Sequence, residues 1–322
     1  MNEIAAEITP VECKYCQSKH TRRYGQTQAK KQRWLCNDCH HTFIEGDSLP
    51  GMKTKTNQIG TAVGLFYEGL SLNAIRRQLQ DPDGNMPSDG TVYKWIAKYS
   101  KEAIAKAKDY KPTVGNVWLC DETVLKIGGQ NVWFYDVIDV KTRFLLASHL
   151  SDRRYLGDAR IVLHKASVEA GKKPRIVITD SLPSYPQAIG DVFGCATRHI
   201  RYKGITSEPN NNILERFHGS LKARTKVMRG LKSMESAKLF TDGWLVWYNF
   251  MRPHEALGDQ TPAERAGVKF PYATWQDSIR DSDFETKPIK WADDTPILRT
   301  KEPNFSPKIP KNVQRIIGMG RY

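Results

Sequence analysis

Apolar residues recur at helical spacing in three short segments between residues 55 and 110. Ser71 and Ser88 precede the second and third segments and are suited to cap helices there. The positions expected to face inward are Ile59, Ala62, Val63, Phe66, Leu72, Ile75, Leu79, Val92, Trp95, Ile96 and Tyr99. Three short helices in this order predict a helix-turn-helix domain. Its third helix would present these side chains to a DNA major groove: Thr91, Tyr93, Lys94 and Lys98.

A three-helix connector without a DNA-binding role is the alternative for this domain. Residues 57–110 hold seven basic and six acidic residues, a net charge of only +1, so charge alone does not decide between the two.

From residue 114 the pattern changes to that of β-strands. Apolar runs and alternation predict an antiparallel meander over Val117–Ile127, Val132–Val140 and Arg143–Leu150. A helix over Tyr155–Ala170 then leads into a fourth strand, Pro174–Thr179. Three strands, a helix, a strand and a helix form the order of the RNase H-like fold. We therefore predict an α/β core of this class over residues 114–268, in which the first and fourth strands are neighbours.

Composition narrows the class of protein and of partner. The chain has 322 residues, which predicts two or more domains, and 49 basic against 35 acidic residues give a net charge of +14. This charge favours a polyanionic partner. No apolar run approaches the roughly 20 residues that a membrane helix needs, and the first residues do not have the pattern of a secretory signal. We therefore expect no membrane association and a reducing, cytoplasmic environment.

Four cysteines have the spacing of a metal site. Cys13, Cys16, Cys36 and Cys39 form the pattern C-x2-C-x19-C-x2-C, which can close four thiolates around one structural Zn²⁺. Two unrelated Cys-x-x-Cys pairs, or a redox pair, are the alternative. Residues 1–45 are thus predicted to be a zinc ribbon. The basic residues between the two cysteine pairs predict contact with DNA phosphates. These residues are Arg22, Arg23, Lys30, Lys31 and Arg33. A ribbon can instead serve as a scaffold or bind protein.

Three carboxylates of the predicted core lie at positions where they could form a common site. Asp121 lies late in the first strand, Asp180 ends the fourth, and Glu215 lies just inside a later helix. Clustered carboxylates can hold two Mg²⁺ or Mn²⁺ ions for phosphoryl transfer. Each acid also has an ordinary role open to it, as a helix cap or an ion-pair partner. Glu122 is a rival for the first ligand, but strand alternation places it on the opposite face of the sheet from Asp121.

Other polar residues of the core are expected to have structural roles. Asp136 and Asp139 are assigned to the sheet and its hairpin. His199 and His218 are more often structural than ligands when they stand alone in a sequence, although either could contact phosphate.

The spacing of the three acids, D121-x58-D180-x34-E215, resembles that of DDE transposases and retroviral integrases. The 34-residue interval and the helix-turn-helix are most similar to prokaryotic transposases of the insertion-sequence six group. Lys222, seven residues after Glu215, matches the basic residue that this superfamily places two helical turns beyond its glutamate. The segment Tyr248-Asn249-x-x-Arg252-Pro253-His254 resembles the end of the integrase core. The resemblance covers roughly residues 57–268, and the simplest members of the group lack a zinc ribbon.

The resemblance implies a DNA transposase that cuts element ends and joins them to target DNA. Asp121, Asp180 and Glu215 would hold the metal ions, and Lys222 would bind DNA near the reacting end. Two element ends must meet in one complex, which implies a homodimer or larger assembly acting on double-stranded DNA at the nucleoid. Two alternatives are a catalytically silent, transposase-derived DNA-binding regulator and a nuclease of the same fold that cuts but does not join.

The stretch Arg198–Lys232 contains nine basic and two acidic residues and flanks the predicted metal site. We expect it to hold the DNA backbone rather than to be only a solvated surface. Its candidate DNA ligands are Arg216, Arg224, Lys226 and Arg229. The remaining residues, 269–322, are rich in proline and are predicted to form an extended C-terminal tail.

Overall fold

The computed structural model describes residues 11–202, 212–228 and 231–282. Its N-terminal unit is a three-stranded antiparallel sheet of β1 (Thr21–Gln26), β2 (Gln32–Cys36) and β3 (Thr42–Ile44). Trp34 and Phe43 pack with the cysteines in a small core of their own. So little apolar material cannot stabilise a sheet of this size without a further crosslink.

Three helices follow, and their boundaries agree with the spacing of the sequence. They are α1 (Thr56–Tyr67), α2 (Leu72–Gln78) and α3 (Asp89–Ala107). Ser71 and Ser88 cap α2 and α3, since their side chains accept hydrogen bonds from the backbone N–H groups of Ala74 and Thr91. The apolar positions predicted to face inward on α1 and α3 are all buried.

A five-stranded mixed sheet forms the centre of the molecule. Its strands are β4 (Val117–Ile127), β5 (Gln130–Asp139), β6 (Leu145–Ser151), β7 (Ile176–Thr179) and β8 (Arg198–Arg201), in the spatial order β6-β5-β4-β7-β8. The first three are antiparallel, whereas β7 and β8 run parallel to β4. This is the RNase H-like arrangement, and it confirms the predicted neighbourhood of the first and fourth strands.

Helices cover both faces of this sheet. On one face lie α4 (Leu156–Ala170) and α5 (Ser184–Phe193); on the other lie α6 (Asn212–Val227) and α7 (Met234–Val246). A π-helical turn, Trp247–Met251, continues α7. Within it Asn249 accepts a hydrogen bond from the N–H of Leu145 at 2.8 Å and donates one to its carbonyl at 2.9 Å. This pair fixes the end of α7 against the start of β6.

After the π-helical turn the chain forms a 3-10 turn over Glu255–Leu257 and the short helix α8 (Pro262–Arg265). The prediction of an extended tail from residue 269 is wrong for its first part. Trp275–Arg280 forms a helix, α9, and the ring of Trp275 stacks on that of Tyr67 in α1 at 4.9 Å. Burial of its apolar side chains against α1 outweighs the local polarity of this segment. The rest of the predicted tail, residues 283–322, lies outside the described residues.

Among the described residues, none of the helices combines the length and the apolarity that crossing a bilayer requires.

Candidate active site

Two of the three predicted carboxylates meet where β4 and β7 run side by side. The parallel register pairs Leu119 with Ile178, and two residues further along lie Asp121 and Asp180. Oxygen atoms of Asp121, Glu122 and Asp180 all lie within 4.8 Å of one another. Asp180 is held by its Oδ1, which accepts a hydrogen bond from the N–H of Leu182 at 2.9 Å. The crevice at this sheet edge therefore concentrates negative charge.

Glu122 is closer to the two aspartates than strand alternation suggested. Its side chain does point to the face covered by α4 and α5, as expected. There Tyr185 donates its hydroxyl to Oε2 at 2.6 Å, and Arg154 donates Nε–H to Oε1 at 2.9 Å. Arg154 also lies 4.0 Å from Asp180 and over the ring of Trp133. Strand alternation directs the side chains of Asp121 and Glu122 to opposite faces of the sheet. Their carboxylate oxygens nevertheless come close together beside the end of β7.

A buried acid–histidine pair lies beside Asp121. Asp136 is the cross-strand partner of Asp121, is fully buried, and accepts a hydrogen bond from His218 Nε2 at 2.6 Å. Sequence analysis treated both residues as structural and did not connect them. The β4–β5 hairpin could have predicted that Asp121 and Asp136 are neighbours. Its two-residue turn, Gly128-Gly129, has positive φ at both residues and fixes the register that pairs Asp121 with Asp136.

The electrostatics of this cluster favour protons or cations. Burial first, and then the negative charge of Asp136, raises the pKa of Asp121 to about 7. Burial also raises the pKa of Asp136. Burial would lower the pKa of His218, but the charges of Asp136 and Asp121 and the hydrogen bond to Asp136 outweigh it, so that this pKa is raised. Such a site is stabilised by positive charge, and its oxygen donors are those that Mg²⁺ prefers. The residues present therefore fit a divalent metal ion.

Helix α6 brings the third predicted acid to the same side of the sheet. It packs through Phe217, whose ring stacks on that of Phe134 in β5, and through His218. Glu215 lies in its first turn and is exposed, one turn before His218 on the same helix face. Glu215 is not in the group of oxygens within 4.8 Å that the described residues form. Lys222 is exposed, one turn after His218.

A basic groove runs along the other side of α6. It has a volume of about 1390 Å³ and is lined by Arg143, Arg216, Arg252 and His254, among others. Arg143 occupies the left-handed region at φ 60°, which a turn after β5 requires. Burial, and then the charge of Arg252, lowers the pKa of His254 to about 4, so His254 is neutral at neutral pH. Three guanidinium groups thus face this groove. Sequence analysis identified only Arg216 as a DNA ligand, because Arg143 and Arg252 are far from it in the chain.

The four ribbon cysteines also come together. Their Sγ atoms form one group within 4.8 Å, with 3.6 Å between Cys13 and Cys39 and 3.5 Å between Cys16 and Cys36. Gln17 and His40, which follow the two pairs, both have φ 59° and turn the backbone around the sulfurs. Burial opposes ionisation of Cys36, but backbone N–H groups of Cys39 and Asp38 bring its pKa down to about 7. The group matches the tetrahedral sulfur site that Zn²⁺ prefers.

Most of the predicted DNA ligands lie on the surface. The exposed residues are Arg22, Arg23, Lys30, Lys31, Tyr93, Lys94, Lys98, Arg216 and Lys226, whereas Arg33 and Thr91 are half-buried. Arg224, also predicted to be a DNA ligand, does not lie on the surface with the others. Only 2% of its surface is exposed, and its guanidinium lies over the ring of Phe66 in α1. Arg229 lies outside the described residues.

Comparison with known proteins shows which family the chain is similar to. The family model described as a DDE domain matches residues 115–254. The transposase of the insertion sequence-like element IS431mec from Staphylococcus aureus is 29% identical over 170 residues, which cover 52% of this chain and 73% of that protein. Over this region the chain is similar to DDE transposases of the insertion-sequence six type. The transposase of insertion sequence element IS257 in transposon Tn4003, also from Staphylococcus aureus, matches with the same identity and coverage.

Among solved structures, the chain is similar to the HTLV-2 integrase catalytic core domain in complex with magnesium. The two share 14% identity over 48% of this chain and 99% of that one, with a TM-score of 0.37.

A DDE transposase catalyses DNA transposition and is a polynucleotidyl transferase. Such domains use divalent metal ions, and transposases act on DNA as oligomers. None of these relatives supports the alternative of a catalytically silent DNA-binding regulator.

Proposed function

We propose that Asp121, Asp180 and Glu215 together hold two Mg²⁺ ions at the crevice between β4 and β7. The observation that carries this proposal is the convergence of Asp121 and Asp180 oxygens at neighbouring strands. When bound, the ions supply Lewis-acid stabilisation of the oxygens that gain negative charge during phosphoryl transfer. The part of the protein is to position these carboxylates, and a bound cation would favour the ionised form of Asp121, whose pKa the protein itself raises.

The buried pair of Asp136 and His218 positions helix α6 relative to the metal-binding carboxylates. His218 locks α6 to β5, and thereby fixes the face of α6 that carries Glu215 and Lys222. Lys222 then binds a phosphate of the DNA end near the reacting bond, which holds that bond in line. Glu122 keeps Arg154 beside Asp180 rather than acting as a metal ligand, since its oxygens already accept hydrogen bonds from Arg154 and Tyr185.

Different surfaces of the chain bind different stretches of DNA. The ribbon, with Zn²⁺ held by its four cysteines, and the exposed side of α3 bind the element end through phosphate and base contacts. Arg143, Arg216 and Arg252 hold a further stretch of DNA backbone in the groove beside α6. Two element ends require two catalytic domains, so the working form is a homodimer or larger, acting on element ends and target DNA at the nucleoid in the cytoplasm.

The assignment of the third carboxylate is tested by comparing Glu215→Gln with Glu122→Gln. The assay is single-turnover joining of a labelled element end to target DNA, in Mg²⁺ and at saturating DNA. We expect Glu215→Gln to lower the rate by at least about 100-fold and Glu122→Gln to lower it much less. Lys222→Ala should slow joining while leaving the ribbon and α3 to bind the end. Full joining by Glu215→Gln, together with its loss in Glu122→Gln, would place the third ligand on β4.

A further inference from the structure

A second cleft lies between the helix-turn-helix domain and the catalytic domain. It has a volume of about 520 Å³, and α2 and α3 form one wall while α6 and α7 form the other. The cleft is distinct from the carboxylate crevice and from the basic groove, with which it shares none of its lining residues. Its volume is in the range of about 300–1,000 Å³ typical of sites for small ligands.

Arg224 lines this cleft in an unusual state. Its Nε, Nη1 and Nη2 atoms are all buried, and in the described part of the chain none has a hydrogen-bond partner. The guanidinium instead lies 4.1 Å from the ring centre of Phe66 in α1 and 5.8 Å from that of Phe240 in α7. Stacking on these rings compensates only part of the lost hydration, because five N–H donors remain unsatisfied. A buried cation of this kind is strongly destabilising unless an anion accompanies it.

The other lining groups also favour an anion. Lys232 stands at the cleft, exposed, just before α7, and Ser236 lies in the first turn of α7, whose N-terminal end carries partial positive charge. The acidic lining residue is Asp89, and Arg76 already pairs with it at 2.7 Å. Burial lowers the pKa of Arg224 to about 10, which still leaves it charged at neutral pH.

We propose that this cleft is a binding site for a phosphate group, with Arg224 as its principal ligand. A guanidinium presents paired N–H donors that match two oxygens of a phosphate, and Lys232 adds a second positive charge. The phosphate would satisfy Arg224 and lie between the two domains, so its binding stabilises their docking. Its source is either a free phosphate compound or a phosphodiester of DNA held on α3, whose Tyr93 lines the same cleft.

The test uses the full chain with its zinc retained. Thermal unfolding is followed as sodium phosphate replaces chloride at constant ionic strength. Saturating phosphate should raise the melting temperature of the wild type by about 5 °C. Arg224→Met keeps the length of the side chain but removes the donors, so it should lose this rise. Lys238→Gln removes a positive charge at an exposed position on α7 that lines neither this cleft nor the basic groove; it is the matched control and should keep the rise.

A second measurement does not depend on unfolding. Phosphorus NMR of inorganic phosphate should show exchange broadening with the wild type and with Lys238→Gln, less with Lys232→Gln, and least with Arg224→Met. An equal thermal response and equal broadening in wild type and Arg224→Met would overturn the proposal. So would a wild type that responds no more to phosphate than to chloride.

The source of the phosphate is then separated by adding a short DNA duplex. If a DNA phosphodiester fills the cleft, duplex should abolish the effect of inorganic phosphate, and Arg224→Met should bind duplex more weakly. If the ligand is a free phosphate compound, the two effects should add, and Arg224→Met should bind duplex as the wild type does. Neither readout involves joining, so the outcome is independent of the proposed catalytic role of the carboxylates.

Discussion

At Asp121 the chain holds an acidic side chain in surroundings that disfavour its charge. It is buried beside Asp136 and shares its crevice with Asp180 and Glu122. A raised pKa of this kind is common where a protein must bring carboxylates together for function. The cost of that charge should be visible in the stability of the protein.

The raised pKa of Asp121 gives stability a defined dependence on pH. Between the ordinary value near 3.8 and the folded value of about 7, the native state binds a proton that the unfolded state has lost. Stability from this group is therefore complete at low pH and is lost as pH rises through about 7. Without added divalent metal, we expect the stability of Asp121→Asn relative to that of the wild type to increase by about 2–3 kcal/mol between pH 5 and pH 8.

Denaturant unfolding of both proteins across that range measures this difference. Asp191→Asn changes an exposed aspartate that pairs with Arg160 and should track the wild type. A stability difference between Asp121→Asn and the wild type that does not change with pH would show that Asp121 has an ordinary pKa.

The position of a single residue was predictable from the sequence where the order of the strands and helices determines it. The convergence of Asp121 and Asp180 follows from the order of strands. The burial of Arg224 does not, because it depends on how two domains pack, and a basic run in the sequence has the same composition whether it faces DNA or a neighbouring domain.

At the scale of elements, caps and turns made most boundaries predictable. Ser71, Ser88 and the Gly128-Gly129 hairpin are local signals, and the structure places α2, α3 and β4 as they indicate. Strand β8 was missed because Arg198–Arg201 is short and three of its four residues are polar. The π-helical turn was missed because its extra residue is stabilised by Asn249 binding a distant strand, not by a local pattern.

We expect the N-terminal sheet of β1, β2 and β3 to be the element whose stability depends most on a metal. We expect one Zn²⁺ per purified chain, and we expect Cys36→Ser to reduce zinc content and expose β1–β3 to protease, because binding energy of the metal is also folding energy. Cys195→Ser, which changes an exposed cysteine outside the ribbon, is the matched control. Metal analysis with limited proteolysis decides it. Protection of residues 11–45 in a zinc-free chain would contradict this prediction.

At the scale of the whole molecule, the three-helix domain of α1, α2 and α3 packs tightly against α9. Tyr67 in α1 donates to or accepts from Ser100 in α3 at 2.8 Å and stacks on Trp275 in α9. Lys106 in α3 donates to the carbonyl of Ser278 at 2.9 Å. The sequence did not predict this contact, because α9 is short and gains its order from the surface that it covers.

At Gly60, helices α1 and α9 approach each other so closely that no side chain fits between them. A Cβ at Gly60 would lie 2.3 Å from Cγ and 2.8 Å from Cα of Gln276, so Gly60→Ala must push α9 away. We expect a loss of about 1–3 kcal/mol in unfolding free energy and faster hydrogen exchange in α9. Gly64→Ala lies on the same helix, where the nearest atom is 3.8 Å away, and should be neutral or stabilising. Equal effects of the two substitutions would mean that α9 does not pack on α1.

The most direct test of the account is joining of element-end DNA by Asp180→Asn beside Asp191→Asn, in Mg²⁺ and with end binding measured by gel shift. Asp180 lies in the carboxylate crevice, whereas Asp191 is an exposed partner of Arg160 on α5. We predict that Asp180→Asn binds the end as the wild type does but neither cleaves nor joins it, while Asp191→Asn does both. Cleavage and joining by Asp180→Asn at the wild-type rate would show that the crevice between β4 and β7 is not the active site.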